Sequence, residues 1–380
     1  MNDYRKLNGI SAYHSCIILL LLIIGLIQSV TAADTMFRAN PEHTGVYDNG
    51  GIVQNNTELW RFTTGDGVFS SPVVSNSTVF VGSRDFNLYA IDAMNGKEKW
   101  RFTTDGAVDS SPAVSNGIVY VGSNDNNLYA INAMTGTEKW RFKTGNIVFS
   151  SPAVSNGVVY VGSNDDNLYA IDAVTGTEKW RFKTGNIVFS YPAVSNGVVY
   201  VGSNDNNLYA IDAVTGTEKW RHKTEAAVRS SPVVPNGVVY IGSDDYNLYA
   251  INAMTGMEIG WFKTGNTVFS SPTVLDGFVY FGSGDSHLYV SHTVDERWRL
   301  GERWRFGSAV EGGIDSSPAV SNGIIYVGGG KNLYAIDFPP QADFGISGNE
   351  KWRFKTGKYV ASSPVVSNGV VYFGSMDNNL

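Results

Sequence analysis

A tryptophan recurs at a nearly constant interval along most of this chain, and this repeat restricts the possible folds more than any other feature. The interval is 40 residues at first and lengthens slightly later, with members at Trp60, Trp100, Trp140, Trp180, Trp220, Trp261, Trp304 and Trp352. A proline and a Leu-Tyr pair recur with the same period, and residues 141–180 differ from residues 181–220 at only two positions. The chain therefore contains eight copies of one supersecondary unit.

One unit divides into four short strands separated by turn residues. A well-preserved copy has strand-like segments at residues 150–155, 158–163, 168–172 and 178–183, with Asn-Gly, Asn-Asp-Asp-Asn and Thr-Gly between them. No stretch after residue 33 has the 3.6-residue apolar period of a helical solenoid. Four strands in 40 residues are typical of a propeller blade. The sequence predicts an all-β fold, an eight-bladed β-propeller of four-stranded antiparallel blades.

The two ends of the chain are expected to share the last blade. The eighth repeat supplies a first strand after Pro364, a second at residues 370–374 and only the start of a third at Leu380. Its fourth strand is expected from Glu58–Thr63, because pairing the chain ends removes exposed sheet edges. We therefore predict an incomplete last blade closed by the N-terminal strand, truncated relative to a fully closed ring. In this incomplete blade we expect the N-terminal strand to lack a hydrogen-bonding neighbour, and we expect the blade to be the least stable part of the propeller.

The first 33 residues have the organisation of a secretory signal peptide. Arg5 and Lys6 precede an apolar run from Cys16 to Ile27, and small residues follow as far as Ala33. The alternative is an uncleaved signal anchor. We predict a signal peptide at 1–33, a lead-in segment at 34–56 and the propeller at 57–380, with no later membrane span. The expected location is extracellular or in the cell envelope.

Charge and cysteine content exclude several classes of function. The net charge is −7, which argues against a nucleic-acid partner because phosphate binding needs clustered Lys and Arg. Cys16 is the only cysteine and lies in the leader, so the mature chain has no disulfide, cysteine zinc site or cysteine nucleophile. The histidines show no metal-ligand spacing, so no metal site is expected.

The segment from Ala90 to Trp100 resembles the tryptophan-docking motif of pyrroloquinoline-quinone (PQQ) β-propeller repeats, and 170–180 and 210–220 repeat it. The resemblance extends from Trp60 to the C-terminus. It implies that each tryptophan packs between two blades, beside the glycine turn of the following repeat. A large rigid ring repeated once per blade fits such a structural role. All eight tryptophans are therefore predicted to be docking residues.

The resemblance implies two functions of different classes. Quinoprotein dehydrogenases use this propeller to hold PQQ with calcium, whereas BamB-like proteins are non-enzymatic scaffolds. The adjacent cysteine pair and the long insertions of the alcohol-oxidising quinoproteins are missing here. We therefore expect an exported, non-catalytic binding or scaffold propeller without a cofactor, whose partner is a protein or glycan of the cell envelope. The alternative is a quinoprotein-like oxidoreductase that binds PQQ and calcium.

A ligand site should lie where the repeats differ, since a site needs different groups in different roles. The third residue before each repeated proline differs between copies and is expected at the mouth of the central channel. The candidate ligand ring is Phe69, Asp109, Phe149, Phe189, Arg229, Phe269 and Asp315. Asp109 and Asp315 could also act as a glycosidase-like carboxylate pair with Arg229 holding an anion. An aspartate repeated in the turn between the second and third strands is interpreted as a turn cap.

Two irregular segments are the expected partner contacts. Residues 291–301 replace the turn between the third and fourth strands of the sixth repeat, and residues 338–349 enlarge the same turn of the seventh. Irregular loops on a regular scaffold are common sites of recognition. We predict that a partner contacts these loops, on the face opposite the channel mouth.

Overall fold

The computed structural model describes residues 35–47, 55–293, 302–306, 312–337 and 348–380. All regular secondary structure in these ranges is β, and none of their segments is a helix suited to crossing a membrane. Residues from Asp34 onward form one compact unit. The predicted signal peptide and the greater part of the two irregular loops lie outside the described residues.

Seven repeats form blades, each an antiparallel sheet whose strands follow one another in sequence order. The first three blades are β1 Val73–Ser75, β2 Thr78–Gly82, β3 Asn87–Asp92 and β4 Glu98–Thr103; β5 Ala113–Ser115, β6 Ile118–Gly122, β7 Asn127–Asn132 and β8 Glu138–Lys143; and β9 Ala153–Ser155, β10 Val158–Gly162, β11 Asn167–Asp172 and β12 Glu178–Lys183. The next two are β13 Ala193–Ser195, β14 Val198–Gly202, β15 Asn207–Asp212 and β16 Glu218–Lys223; and β17 Val238–Gly242, β18 Asn247–Asn252 and β19 Glu258–Lys263. The last two are β20 Thr273–Leu275, β21 Phe278–Gly282, β22 Leu288–His292 and β23 Glu302–Phe306; and β24 Ala319–Ser321, β25 Ile324–Gly329, β26 Asn332–Asp337 and β27 Asn349–Lys355.

The eighth repeat departs from the prediction of an eighth blade. It forms a two-stranded sheet, β28 (Val365–Ser367) with β29 (Val370–Tyr372). The predicted count of eight blades is therefore corrected to seven, because only the last residues before Leu380 occupy the third-strand position. The chain ends do meet, since Phe62 and Leu380 exchange two backbone hydrogen bonds of 3.0 Å. The N-terminal segment thus has a hydrogen-bonding neighbour, contrary to our expectation, although it forms an isolated bridge at Thr63 and not a strand.

The burial of each strand follows from the position of its blade between two neighbouring blades. The second and third strands are buried on both faces and are therefore continuous apolar runs, whereas the fourth strand alternates between exposed and half-buried residues. The Asn-Gly hairpins hold Asn156 and Gly157 at φ of 50° and 73°, as the favoured two-residue hairpin turn requires. In the fifth blade Pro235 replaces the serine of other repeats, and the first strand is reduced to a bridge between Val233 and Tyr240.

Tryptophans of the fourth strands connect successive blades. The Trp100 ring lies so close to Gly136 of the next blade that a Cβ there would be 2.7 Å from it, and Gly136 has a φ of 71°. The same turn offers a backbone acceptor, since the Trp100 indole N–H donates to the carbonyl of Ala133 at 3.1 Å. Corresponding bonds of 3.0–3.2 Å join Trp60 to Ala93, Trp140 to Ala173, Trp180 to Ala213 and Trp220 to Ala253.

The remaining tryptophans differ from this arrangement. Trp261 pairs with Tyr249 across the strands, whereas Gly260 occupies the position that tryptophan has in other blades. A shift of one residue turns a side chain to the other face of the sheet, so Trp261 is 53 % exposed and is not a docking residue. Trp304 pairs with Val290 in the usual register, but its side chain is outside the described part of the chain. Trp352 is half-buried beside Tyr326.

The segment that begins at Thr35 crosses the channel. Thr35 exchanges backbone hydrogen bonds of 2.9 and 2.6 Å with Val114 of the second blade. Further along, the carbonyl of Pro41 accepts from Val194, and Val46 forms a bridge to Val320 of the seventh blade. Residues 35–47, here called the crossing segment, therefore add backbone pairs to the inner edges of several first strands. This role is absent from the sequence prediction, which treats 34–56 only as a lead-in.

Candidate functional site

The antiparallel blades give the propeller two distinct faces. The turns between second and third strands, and the connections that lead into the first strands, lie at one end of each blade, which we call the mouth face. The turns between first and second and between third and fourth strands lie at the other end, the hairpin face. Contacts support this division: the Arg84 guanidinium lies 5.3 Å from the Phe69 ring on the mouth face, and Ala93 N–H donates to Ser77 on the hairpin face.

The four phenylalanines of the predicted ligand ring form one aromatic cluster in the channel. The Phe69 and Phe149 ring centroids are 5.4 Å apart, with the rings edge to face. Phe149 stacks on Phe189 at 4.2 Å, and Phe269 lies 5.7 Å from Phe189. All four side chains are half-buried. They therefore pack on one another and do not stand apart around an open mouth.

The charged members of the predicted ring each have a partner of their own. Buried Asp109 accepts hydrogen bonds from Arg84 at 2.8 Å and from Asn124 at 3.0 Å. Asp315 accepts from the Tyr359 hydroxyl at 2.8 Å. The structure thus gives the two carboxylates separate local partners, and Asp315, but not Asp109, lines a small channel cavity together with Arg229.

Arg229 is likewise engaged on the mouth face. Its guanidinium forms an ion pair with Asp244 of the same blade, with Nε 2.6 Å from the carboxylate. Burial raises the pKa of Asp244, and the charge of Arg229 opposes that rise only in part. The pair is therefore a partly desolvated contact, and Arg229 is less available to an anionic ligand than the sequence suggests.

The repeated turn aspartates hold the blades together. Asp165 accepts from the backbone N–H of Asn167 at 3.1 Å, from the Tyr169 hydroxyl at 2.7 Å and from Gly145 N–H at 2.6 Å. Burial acts to raise the pKa of Asp165, but these donors outweigh burial and lower the pKa. The geometry agrees with the turn-cap interpretation. In the described residues no group of three or more His, Cys, Asp or Glu side chains is arranged to hold a metal ion.

Little free volume remains in the channel. A cavity of about 30 Å³ lies between the phenylalanine cluster and the side chains of Phe37 and Tyr191. Phe37, from the crossing segment, packs edge to face against Tyr191 with centroids 4.7 Å apart. One water occupies about 10–15 Å³ by this measure, so the cavity has room for about two.

These residues do not fit PQQ. The cofactor is a fused three-ring quinone with three carboxylates, and ligand pockets usually measure about 300 Å³ or more. The channel cavity is far smaller, and the cation in its lining, Arg229, already pairs with Asp244. Phenylalanine side chains offer no counter-charge to the carboxylates.

The hairpin face carries a feature that our sequence analysis missed. The second residue after the third strand is apolar and almost fully solvent-exposed in five successive blades. We call these residues the tips, and each is between 83 and 86 % exposed. They are Met94, Met134, Val174, Val214 and Met254. The signal was present in the sequence, since each tip follows the Ala of the docking motif at a spacing of 40 residues. Exposed apolar side chains at one repeated position form a candidate contact surface.

The fold and these contacts define a β-propeller repeat protein of the PQQ type. The family described as "Beta-alanine-activating enzyme, beta-propeller" matches residues 52–293, and the chain belongs to this β-propeller family. No curated protein sequence matches the chain.

Solved structures share the fold at low sequence identity. BamB from Moraxella catarrhalis is 16 % identical with a TM-score of 0.72, covering 85 % of this chain and 98 % of its own. The computationally designed protein Ika8 is 17 % identical with a TM-score of 0.74, over 85 % and 98 % of the two chains. Quinohemoprotein alcohol dehydrogenase from Comamonas testosteroni is 14 % identical with a TM-score of 0.71, over 91 % and 76 %.

Proposed function

We propose that this protein is an exported, non-catalytic scaffold propeller of the cell envelope that binds a protein partner through its hairpin face. The observation that carries the proposal is the set of five exposed apolar tips at one repeated position. Burying one such side chain contributes about 1.5–3 kcal/mol. Several tips that contact one partner together would support a stable complex, although each alone contributes modestly.

The filled channel supports a binding role over the quinoprotein alternative. The cavity beneath the phenylalanine cluster measures about 30 Å³, too small for a tricyclic quinone. The name of the matching family refers to an enzyme, but the part that matches is its β-propeller. The export component of the proposal rests on the leader-like residues 1–33. The two irregular loops, predicted as partner contacts, connect third strands to fourth strands, as do the turns that carry the exposed tips.

The test is chemical cross-linking in the native cell envelope followed by affinity capture. A variant with Met134→Glu, Val174→Glu and Val214→Glu places charges on three neighbouring tips, which are too exposed to affect the core. We expect wild type to retain one discrete protein and this variant to retain at least tenfold less. Replacing residues 339–348 by a short Thr-Gly turn should spare folding and weaken the same capture.

A matched control alters the opposite face. Phe86 and Tyr246 are exposed on the mouth face at a turn position where other repeats carry Asn, as at Asn126 and Asn206. Phe86→Asn with Tyr246→Asn should therefore leave capture unchanged. Equal capture by wild type and the tip variant would refute the proposal. So would saturable uptake of PQQ with calcium at tens of micromolar, followed by reduction of a dye when an alcohol or sugar is added.

A further inference from the structure

The fourth strand of each blade is the last strand of its sheet, so its outer edge has no partner strand in the described part of the chain. Charged side chains usually protect such edges, because an unprotected edge pairs readily with another chain. In the fourth blade Lys219 and Arg221 have this role. The fifth blade has Ile259 and Trp261 at the corresponding positions of β19, and Trp261 is 53 % exposed. The outer edge of β19 is therefore unusually apolar.

The exchange of arginine for tryptophan also leaves a carboxylate without its usual partner. Arg221 forms an ion pair of 2.8 Å with Glu218. Trp261 takes the arginine position in the fifth blade, so the corresponding Glu258 has no arginine beside it in β19. His222 lies 3.7 Å from Glu258, but burial lowers the pKa of this histidine and the charge of Glu258 opposes the shift only in part. His222 is therefore neutral near neutral pH and does not compensate the charge of Glu258.

The opposite end of β19 carries an unpaired cation. Lys263 is exposed and forms no ion pair with any described residue. The strand thus begins with a negative charge at Glu258 and ends with a positive charge, with Ile259 and Trp261 between them. Two antiparallel copies of this strand bring opposite charges together at both ends, and opposite charges on neighbouring strands are stabilising. The sequence of β19 is therefore complementary to itself.

The backbone of β19 has free hydrogen-bonding groups at this edge. Thr264 N–H donates to the Tyr246 carbonyl at 2.8 Å, directly after the last paired position of the strand. Hydrogen-bonded pairs alternate along two antiparallel strands, so every second residue of β19 bonds inward to β18. Trp261 and Lys263 are the alternate residues, and their N–H and C=O groups point outward. These are the groups with which a second strand can pair.

The side chains of β19 divide between two faces. Phe262 packs against Tyr289 of the sixth blade, with ring centroids 5.4 Å apart, so its face is directed toward that blade. Trp261 lies on the other, exposed face. A bulge before Gly260 turns Glu258 to this exposed face as well. Residues directly opposite each other in an antiparallel pair share a face, which restricts how a second strand can be aligned.

One register satisfies these constraints for two antiparallel copies of β19. It is centred on Trp261, whose outward N–H and C=O groups meet those of the second copy on the two-fold axis. The two tryptophan rings then lie side by side on the exposed face, and aromatic cross-strand pairs are stabilising. On the other face Gly260, which lacks a side chain, lies opposite Phe262. Lys263 reaches Glu258 of the second copy, once at each end of the paired strands.

We propose that this protein forms a two-fold symmetric dimer in which the β19 strands of two copies pair edge to edge. A second copy of the chain fits this edge because of the complementary charges of Glu258 and Lys263. A two-fold contact uses the same surface on both copies, so each pairing occurs twice. One pair of short strands buries less than a standard interface of about 1,600 Å², so we expect association at micromolar concentrations. The surface is separate from the tips and does not depend on the proposed envelope partner.

Sedimentation velocity of the full chain tests the dimer. The average mass of wild type should increase with concentration and approach that of a dimer at tens of micromolar. Trp261→Arg restores the residue of the regular blades and places two arginines opposite each other, so self-association should weaken at least about tenfold. Lys223→Glu makes a charge change at the corresponding end of the fourth blade and should have no effect. The variant with glutamate at three tips should associate as wild type does, which separates the dimer from partner binding through the hairpin face.

A charge exchange tests the register. Lys263→Glu and Glu258→Lys each place like charges together at both ends of the paired strands, so each should weaken self-association at least about tenfold. An equimolar mixture of these two variants restores both charge pairs between unlike copies and should associate within about threefold of wild type. The proposal is wrong if the mixture associates no better than either variant alone, or if Lys223→Glu weakens association as much as Lys263→Glu. A wild type that stays monomeric over the whole concentration series also overturns it, even if β19 captures a strand of a different protein.

Discussion

At the scale of single residues, tryptophan has two different roles in this chain. Trp140 is half-buried against the glycine turn of the next blade and donates to Ala173, whereas Trp261 is 53 % exposed on the other face of its strand. The difference is one inserted position, because Gly260 takes the docking place. Side-chain identity alone therefore does not decide the contribution to stability; the register of the strand does.

The two tryptophans provide a matched pair of substitutions. Trp140→Ala removes an inter-blade contact and leaves a cavity, so we expect the free energy of unfolding to fall by about 2–4 kcal/mol. Trp261→Ala removes a mostly solvated ring and should change it by less than about 0.5 kcal/mol. Urea midpoints of both variants measure the difference. Similar losses in the two variants would show that Trp261 docks in solution, against the register seen here.

At this scale the sequence predicts the repeated residues but not the contacts between distant positions. The 40-residue period places the docking residues of the regular blades correctly in register, since Trp100 does pair with Ala90 across the strands. It fails where an insertion moves the residue, although the spacing of 41 before Trp261 was a visible sign. The pairing of Asp109 with Arg84 could not be predicted, because it joins a connection to a turn 25 residues away.

At the scale of elements, the crossing segment places two basic side chains, Arg38 and His43, in the protein interior. Arg38 donates to the carbonyl of Ser271 and to the Thr273 hydroxyl. His43 is 1 % exposed and lies edge to face against Phe37 at 5.6 Å. Burial, and then the charge of Arg38, lower the pKa of His43 to about 3, and the carbonyl of Pro232 opposes them only in part. The histidine is therefore neutral in the folded protein near neutral pH.

This burial makes the stability of the crossing segment depend on pH. The folded pKa of His43 lies below the unfolded value of 6.5, so its stabilising contribution is complete above pH 6.5 and is lost as the pH falls toward 3. The loss is at most about 1.4 kcal/mol per pH unit. We expect His43→Leu to flatten the dependence of the melting temperature on pH between 6.5 and 4.

A substitution of a group that does not titrate gives the control for this experiment. Phe86 is 48 % exposed at a turn of the mouth face, where other repeats carry an asparagine such as Asn206. Phe86→Asn should keep the wild-type slope between pH 6.5 and 4. If His43→Leu retains the full slope, the crossing segment does not hold His43 neutral and buried in solution.

The conformation of the crossing segment could not be predicted from the sequence. Its residues follow neither the 40-residue period nor a two-residue alternation, and their partners Val114, Val194 and Val320 look like ordinary first-strand residues. Local pattern carries no information about a pairing that spans the channel. The blades were predictable because each copy contains its own strands and turns, whereas this segment acquires its conformation from distant blades.

At the scale of the whole molecule, a series of serine contacts runs around the channel. The backbone N–H of one serine donates to the hydroxyl of the equivalent serine in the next repeat, as from Ser71 to Ser111 at 2.9 Å and from Ser111 to Ser151 at 2.8 Å. The series continues through Ser231, Ser271 and Ser317, with Tyr191 replacing one member. It includes the two-stranded eighth repeat and returns to the start, since Ser363 N–H donates to the Ser71 hydroxyl at 2.8 Å.

The closing contact allows a test of whether the ring is closed in solution. Ser71→Ala removes the acceptor of Ser363, at the junction between the eighth repeat and the first blade. Ser111→Ala removes the acceptor of Ser71 at an internal junction and serves as the matched control. Ser111→Ala leaves the buried Ser71 N–H without its partner, and Ser71→Ala does the same to the half-buried Ser363 N–H. An unsatisfied N–H that water cannot reach costs about 1–3 kcal/mol. In a closed ring the two variants should lower the urea midpoint by similar amounts. An open ring would expose the Ser363 N–H to water, so Ser71→Ala would then cost almost nothing while Ser111→Ala remained destabilising.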